Sequence, residues 1–307
     1  MITYNYIAKN KRNSVLLVFI FLVLIIALGW VFSRAYNAPE ILVVAVVFST
    51  VSSFISYYFS DSITLAISQA REVDRQSAPE VYRLVENLTI AAGLPMPRVY
   101  IIEDTAMNAF ATGRDPKHAV ICFTSGIIAR LDKSELEGVT AHELSHVGNY
   151  DIRFMTLVVV LVGILTLLAD WMLRATMFGG RRRSNEGGNV FALIGIILAI
   201  ISPIIAVLIK LAVSRQREYL ADSSGALLTR YPEGLANALE KIAKDKEPLE
   251  AANKATAHLY IANPFHSDVA ITADDEQSSD SRSWFANLFN THPPIADRIK
   301  RLREMNL

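Results

Sequence analysis

The chain has 307 residues, of which 52% are hydrophobic, and its mean hydropathy is +0.30. Lys and Arg total 30 and so do Asp and Glu, so the formal charge is zero and no nucleic-acid partner is expected. The single cysteine, Cys122, excludes an internal disulfide and any metal site built from several cysteines. Its apolar neighbours in the sequence predict a buried thiol.

Two apolar segments without a charged residue lie near the start of the chain, at residues 14–32 and 41–59. Each is 19 residues long, and a membrane-spanning helix needs roughly 20 such residues. The polar connection between them is short. The pattern therefore predicts a transmembrane hairpin over residues 1–60, with the lipid bilayer as a partner.

The distribution of positive charge predicts how this hairpin is oriented. Basic residues precede the first apolar segment, at Lys9, Lys11 and Arg12, whereas the connection carries only Arg34. Because Lys and Arg favour the cytoplasmic side, we expect a cytosolic N-terminus and a cytosolic domain after residue 60. The expected location is the cell (plasma) membrane, crossed several times.

The cytosolic domain is predicted in two parts, at residues 61–153 and 214–307. Periodicity indicates helices and short apolar runs indicate strands: helices are expected at 79–92, 133–150 and 233–244, and strands at 98–103 and 118–123. The predicted fold class is mainly α with a small β-sheet.

The first predicted helix of chemical interest carries the pattern H-E-x-x-H, at His142, Glu143 and His146. It should begin near Lys133, where Ser134 is the expected cap with Glu137 three residues on. Residues four apart share one helix face, so both imidazoles can bind one zinc ion. Glu143 lies beside the metal, as a general base for the attacking water. A chance occurrence of three letters is the alternative.

A second hydrophobic hairpin is predicted over residues 154–213, with apolar segments at 154–173 and 190–209. The charge-free part of the first segment is short and ends at Asp170, which is expected to pair with Arg174. The turn contains three consecutive Arg residues, so this hairpin fits the charge rule poorly. We nevertheless favour two spans, which makes four hydrophobic membrane helices in all.

A catalytic zinc site needs a third protein ligand, and Glu218 is the best candidate. A helical hairpin folded midway between residues 144 and 218 brings these two positions together. Asp222, one turn further, can accept the free ring N–H of a ligating histidine. The alternative is that both acids belong to a solvated helix face.

These patterns resemble those of the HtpX-like membrane zinc metalloproteases, which are related to the prenyl-protein (CAAX) proteases. The resemblance covers nearly the whole chain. It rests on both N-terminal spans and on four motifs: MNAFATG at 107–113, AHELSHVGN at 141–149, SRQREYLAD at 214–222, and THPP at 291–294 followed by Arg298.

The resemblance implies a zincin-like metallopeptidase domain and further site residues. Asn108, Ala109 and Phe110 belong to the implied edge strand on which an extended substrate is held by backbone pairing. His292 and Arg298 are implied as catalytic donors to the oxyanion of the reaction. Read without the resemblance, His292 would cap a turn and Arg298 would lie on a solvated face.

The expected function is therefore a membrane-bound zinc endopeptidase with one zinc ion per chain and a cytoplasmic active site. Its expected substrates are misfolded or membrane-associated polypeptides, and the resemblance implies protein quality control under stress. Two alternatives remain: a specialised processing peptidase of the prenyl-protease type, and a non-catalytic zinc-binding membrane scaffold. The sequence leaves homo-oligomer formation open.

Overall fold

A computed structural model of the chain describes residues 2–179, 204, 207, 208, 214–252, 256–262, 264 and 293–305. His292, the three-Arg turn and all but three residues of the apolar segment 190–209 lie outside this range. The fourth predicted membrane helix and the turn before it therefore lie outside the described residues.

The first two helices cover the two apolar segments near the start of the chain and pack against each other. Helix α1 spans Ile2–Ala35 and helix α2 spans Glu40–Ile67. They approach closely at Gly29, where an added Cβ atom would collide with the Cβ of Ala45, as is common for small residues between membrane helices. Within the described residues, three helices are long and apolar enough to cross a membrane, over Asn5–Ala35, Glu40–Ile67 and Asp151–Asp170.

A four-stranded mixed sheet forms one layer of the soluble part. Its strands are β1 (Arg71–Val73), β2 (Arg98–Ile102), β3 (Ala109–Gly113) and β4 (Ala119–Thr124), in the order β1-β2-β4-β3. Strands β2 and β4 are parallel and the other pairs are antiparallel. The two predicted strands are confirmed, and β3 lies at an edge of the sheet.

The remaining helices are α3 (Pro79–Ala92), α4 (Ser125–Arg130), α5 (Lys133–Gly148), α6 (Asp151–Gly179), α7 (Arg215–Thr229), α8 (Pro232–Lys244) and α9 (Ile295–Arg303). Single 3-10 turns occur at Pro116–His118 and Ala257–Leu259. The helices predicted at 79–92, 133–150 and 233–244 are confirmed as α3, α5 and α8. The fold is thus mainly helical with a small sheet, as predicted.

Helix α5 begins at Lys133 as expected, but its cap differs from the prediction. The cap is Asp132, whose Oδ1 accepts a hydrogen bond from the backbone N–H of Glu135 at 2.9 Å. The Glu135 carboxylate in turn accepts from the Asp132 N–H at 2.8 Å. Ser134 instead donates its hydroxyl to Asp132 at 2.8 Å. The capping box therefore starts two residues before the predicted one.

Helix α5 lies in the centre of the soluble part, covered by the sheet, α7 and α8. Its apolar side chains belong to the main core, and its polar residues Thr140, His142, Glu143 and His146 are buried as well. Every side chain of the H-E-x-x-H pattern therefore lies inside the protein.

Helix α6 follows α5 after a two-residue connection, in which Tyr150 adopts a left-handed conformation with φ 60°. In its apolar part, α6 packs against α1. Leu157 and Leu161 of α6 belong to the same buried cluster as Leu17 and Phe21 of α1. Further along, the expected ion pair is present: the Arg174 Nε lies 2.7 Å from a carboxylate oxygen of Asp170.

Candidate metal centre

Three buried side chains converge beside the centre of α5. His142 and His146 lie one turn apart on α5, and their Nε2 atoms are 3.2 Å apart. Glu218, in the first turn of α7, brings Oε2 to 3.7 Å from His142 Nε2 and Oε1 to 3.7 Å from His146 Nε2. One donor atom from each residue lies within 4.8 Å of the other two.

The spacing of these donor atoms fits a zinc ion. Two nitrogens at about 2.0–2.1 Å from one tetrahedral zinc lie roughly 3.3 Å apart, close to the observed 3.2 Å between the imidazole Nε2 atoms. Two imidazoles and one carboxylate also match the ligand types of catalytic zinc sites, which keep a position open. The structure thus brings together the three residues that the sequence nominated as ligands.

His142 is oriented from behind by the residue expected to do so. Its Nδ1 lies 2.9 Å from Oδ1 of Asp222, one turn beyond Glu218 on α7. Burial lowers the pKa of His142, and the nearby Asp222, which acts to raise this pKa, only partly offsets the effect of burial. Burial raises the pKa of Asp222, but the charges and hydrogen bonds of Arg298 and His142 together outweigh burial and bring this pKa down to about 2. Asp222 is therefore a carboxylate that can fix the ring of His142.

His146 has an equivalent partner that was not predicted. Its Nδ1 lies 3.0 Å from Oδ2 of Asp151, the first residue of α6. Burial lowers the pKa of His146, but Asp151 and Glu218 outweigh burial and raise it to about 9. In the sequence, Asp151 is simply an acidic residue that follows the motif helix. Acidic residues are common in the first turn of any helix, so the sequence gives no sign of its contact with His146.

Glu143 lies beside these ligands with its carboxylate buried. Its Oε2 accepts no hydrogen bond from any residue that the structure describes. Burial raises the pKa of Glu143 to about 7, while the backbone N–H of Ala111 on β3, a hydrogen-bond partner, acts to lower it. A buried oxygen without a donor is costly. This atom is therefore where an incoming donor, such as a water molecule, would bind.

Arg298 lies on α9 and is fully buried, but its donors are directed at other protein groups. The guanidinium donates Nε and Nη2 to Asp222 at 2.9 and 2.7 Å, and Nη1 to the carbonyl of Ile261 at 3.1 Å. This geometry fits a role in holding Asp222, and the implied role as an oxyanion donor stays a prediction. His292, the other implied donor, lies outside the described residues.

The edge of β3 differs in detail from the implied substrate strand. Asn108 is buried, and its side-chain Nδ2 donates to the carbonyl of Ala262 at 3.1 Å. The Ala109 carbonyl accepts from the N–H of Ile261 at 2.9 Å. The Phe110 ring packs on Tyr260, with 5.1 Å between ring centroids. Residues 260–262 thus contact the three residues of β3 and its start that were expected to contact substrate. These contacts satisfy buried backbone groups, such as the Ala109 carbonyl, that would otherwise lack a hydrogen-bond partner.

Comparison with known proteins extends these observations to the whole chain. Residues 75–306 match the sequence profile of Peptidase family M48. A "Protease HtpX homolog" from Tropheryma whipplei is 43% identical over 302 residues, covering 98% of this chain and 98% of the relative. Another from Dictyoglomus thermophilum is 41% identical over 303 residues, covering 98% and 94%.

A solved structure shares the fold. The crystal structure of S. mikatae Ste24p superposes with a TM-score of 0.51 at 17% sequence identity, over 89% of this chain and 61% of that chain. At this identity the similarity concerns the fold alone.

Proposed function

The chain belongs to peptidase family M48 and is a membrane metalloprotease, and on that premise we propose that His142, His146 and Glu218 hold one zinc ion per chain. The observation that carries the proposal is the convergence of these three side chains within 4.8 Å in a buried site. Imidazole and carboxylate donors suit zinc. The proposed reaction is hydrolysis of internal peptide bonds, with Glu143 as the general base.

The protein's own residues prepare both imidazoles for this role. A carboxylate on each Nδ1, Asp222 for His142 and Asp151 for His146, keeps the proton there and leaves Nε2 free to bind a metal. Zinc held at this site would act as a Lewis acid on the peptide carbonyl and would lower the pKa of water. Glu143 would accept a proton at its unpaired Oε2 and pass it to the leaving amine.

Substrate would lie along the edge of β3 beside Glu143. Ala111 directs its backbone N–H toward the Glu143 carboxylate, so an extended peptide at this edge would bring its scissile bond to the base. Ala109 and Phe110 would contribute after residues 260–262 move aside, because these residues now pair with that part of the strand. Asn108 would then be released from Ala262.

We further propose a plasma-membrane protein with its N-terminus and active site in the cytoplasm, acting on misfolded or membrane-associated polypeptides. The basic residues before the first span support this orientation. Relatives named "Protease HtpX homolog" support proteolysis, and the quality-control role is what the resemblance to the HtpX-like family implies. The family places the chain among proteases, so a non-catalytic scaffold is not favoured, and nothing in the described residues favours a dedicated processing peptidase.

The proposal is tested with full-length protein purified in detergent, using casein as substrate and a set of membrane-associated peptides. Glu143→Gln should keep its zinc content and lose roughly 10²- to 10⁴-fold in rate. The matched control is Glu137→Gln on the same helix, since the Glu137 side chain is 36% exposed and its ion pair among the described residues is with Lys133 at 3.9 Å. Full activity in Glu143→Gln would remove this residue as the base.

The third ligand has its own test. Glu218→Ala should lose zinc on dialysis under conditions in which wild type retains one ion per chain. Unchanged zinc content in this variant would show that another residue completes the site. Cleavage of many unrelated peptides by wild type would separate general proteolysis from processing of a single tail sequence.

A further inference from the structure

One polar residue of the first membrane helix is buried against the metal centre. Asn10, on α1, is only 4% exposed. Its side-chain amide donates to the carbonyl of Asn149 at 3.0 Å and to Oδ1 of Asp151 at 2.6 Å. Both hydrogens of the Nδ2 group are thus used, at positions 139 and 141 residues away in the sequence.

Asp151 connects this amide to a proposed metal ligand. Its Oδ2 lies 3.0 Å from His146 Nδ1, and its Oδ1 also accepts from Nε of Arg217 at 2.9 Å. The carboxylate is 2% exposed. With donors on both oxygens, it has one orientation, which is the orientation that faces the ring of His146.

We propose that Asn10 is a positioning residue of the metal centre and that helix α1 is therefore a structural part of the active site as well as a membrane anchor. Asn10 fixes Asp151 relative to the end of α5, and Asp151 fixes the ring of His146 so that Nε2 faces His142 and Glu218. This inference rests on the proposed function, because it assumes that these three residues bind the metal.

A simpler role for Asn10 would be to cap the C-terminal end of α5 through the Asn149 carbonyl. Asn10→Asp keeps the size of the side chain but replaces the donor by a carboxylate. This change is unfavourable in both roles, because the carboxylate would face Asp151 and also the Asn149 carbonyl at the end of α5. The variant therefore tests whether the Asn10 donor matters, and a double-mutant cycle with Asp151 separates the two roles.

The test measures Zn²⁺ affinity of the full-length protein in detergent by competition with a chelator, and records the visible absorption of the Co²⁺-substituted protein. Changing a residue that orients a metal ligand typically costs 10- to 100-fold in affinity. We expect about that loss for Asp151→Ala, a smaller loss for Asn10→Ala, and an altered Co²⁺ spectrum in both. Asn5→Ala is the control, because Asn5 is exposed on the same helix.

A double-mutant cycle separates positioning from general stabilisation. If Asn10 acts through Asp151, adding Asn10→Ala to Asp151→Ala should change the metal affinity little further. Equal losses from Asn10→Ala in both backgrounds would overturn the inference. So would wild-type affinity and spectrum in Asn10→Ala and Asn10→Asp. If wild type itself fails to bind Zn²⁺, the proposed function is wrong. If wild type binds Zn²⁺ tightly but changes at Asn10 have no effect, only the inference about Asn10 is wrong.

Discussion

Each histidine of the centre is held by a buried carboxylate that is itself paired with a buried arginine. Asp222, on α7, lies between His142 of α5 and Arg298 of α9. Asp151 lies between His146 and Arg217. Pairing compensates part of the cost of burying these charges, and removal of one partner exposes that cost.

Arg298→Met should therefore be strongly destabilising, because it leaves Asp222 as an uncompensated buried charge. A loss of about 3–5 kcal/mol in the free energy of unfolding is expected from such a change, measured by chemical unfolding in detergent. Lys300→Met on the same helix is the control, since the Lys300 side chain is 75% exposed. Equal stability of the two variants would show that the Asp222 pair contributes nothing.

Asp245 should give the protein a pH-dependent increment of stability. It accepts from the Met107 N–H at 2.7 Å and from Arg130 at 3.0 Å. Burial raises the pKa of Asp245, but these two hydrogen bonds outweigh burial and lower it. Between the pKa of Asp245 in the folded protein and its pKa of about 3.9 in the unfolded chain, the unfolded chain binds more protons than the folded protein. The stabilisation is therefore fully present above the unfolded pKa and is lost as pH falls through the folded pKa.

Asp245→Asn should accordingly unfold at lower denaturant concentration than wild type at pH 7, with a difference that shrinks below about pH 4. Unfolding midpoints over this pH range check the prediction. Glu304→Gln, with a 64% exposed side chain, should show no such trend. A difference that stays constant down to pH 3 would contradict the assignment.

The residues found from the sequence are those with a short-range pattern or a resemblance. His142 and His146 share one helix face, and the hairpin argument brought Glu218 and Asp222 to them. Asp151 and Asn10 were missed because their roles depend on contacts between distant segments. Asn108 was assigned to substrate by resemblance, and only the coordinates show its hydrogen bond to Ala262.

At the scale of elements, the metal centre depends on how closely α7 approaches α5. A Cβ atom on Gly225 would lie 2.9 Å from the backbone N of His142 and 3.2 Å from the carbonyl carbon of Ala141. The helices can come this close only because residue 225 has no side chain. This contact sets the distance between Glu218 on α7 and the two imidazoles on α5.

Gly225→Ala should push these helices apart and weaken Zn²⁺ binding. Overpacking of this kind typically costs 1–3 kcal/mol of stability, which thermal unfolding and chelator competition would measure. Gly163→Ala is the matched control, because a Cβ on that helical glycine meets nothing within 4 Å. Unchanged metal affinity in Gly225→Ala would mean that the helix contact does not set the ligand geometry.

The cap of α5 shows why element boundaries could not be fixed from the sequence. Asp132 with Glu135 and Ser134 with Glu137 both fit a capping box. Glu135 is buried and pairs with Lys241 on α8 at 2.6 Å, so tertiary packing selects the first pair. Strand β1 was missed for a related reason: three residues carry too little periodicity to predict a strand.

For the whole molecule, the basic residues before α1 predict that the sheet and helix α3 lie on the cytoplasmic side of the membrane. Cys122 is fully buried, and burial raises the pKa of its thiol, so native protein should react little with maleimides. Two added cysteines can then report topology: Asn37→Cys in the turn between α1 and α2, and Ile90→Cys on α3, where Ile90 is 74% exposed.

A membrane-impermeant maleimide should label Asn37→Cys in intact cells, and Ile90→Cys only after the cells are permeabilised. This pattern follows from the excess of Lys and Arg before the first span. The opposite pattern would place the active site outside the cytoplasm. Labelling of the parent protein serves as the background measurement.

The two-residue connection between α5 and α6 also limits where cleavage can occur. Only residues 147–150 separate His146 from the first residue of the candidate span Asp151–Asp170. At about 1.5 Å of rise per helical residue, His146 lies within roughly 10 Å of the first residue of this candidate span. If this candidate span crosses the bilayer and His146 holds the metal, we expect hydrolysis in a thin layer near the membrane surface, and a peptide bond held deeper or further out would have to move into that layer before it is cut.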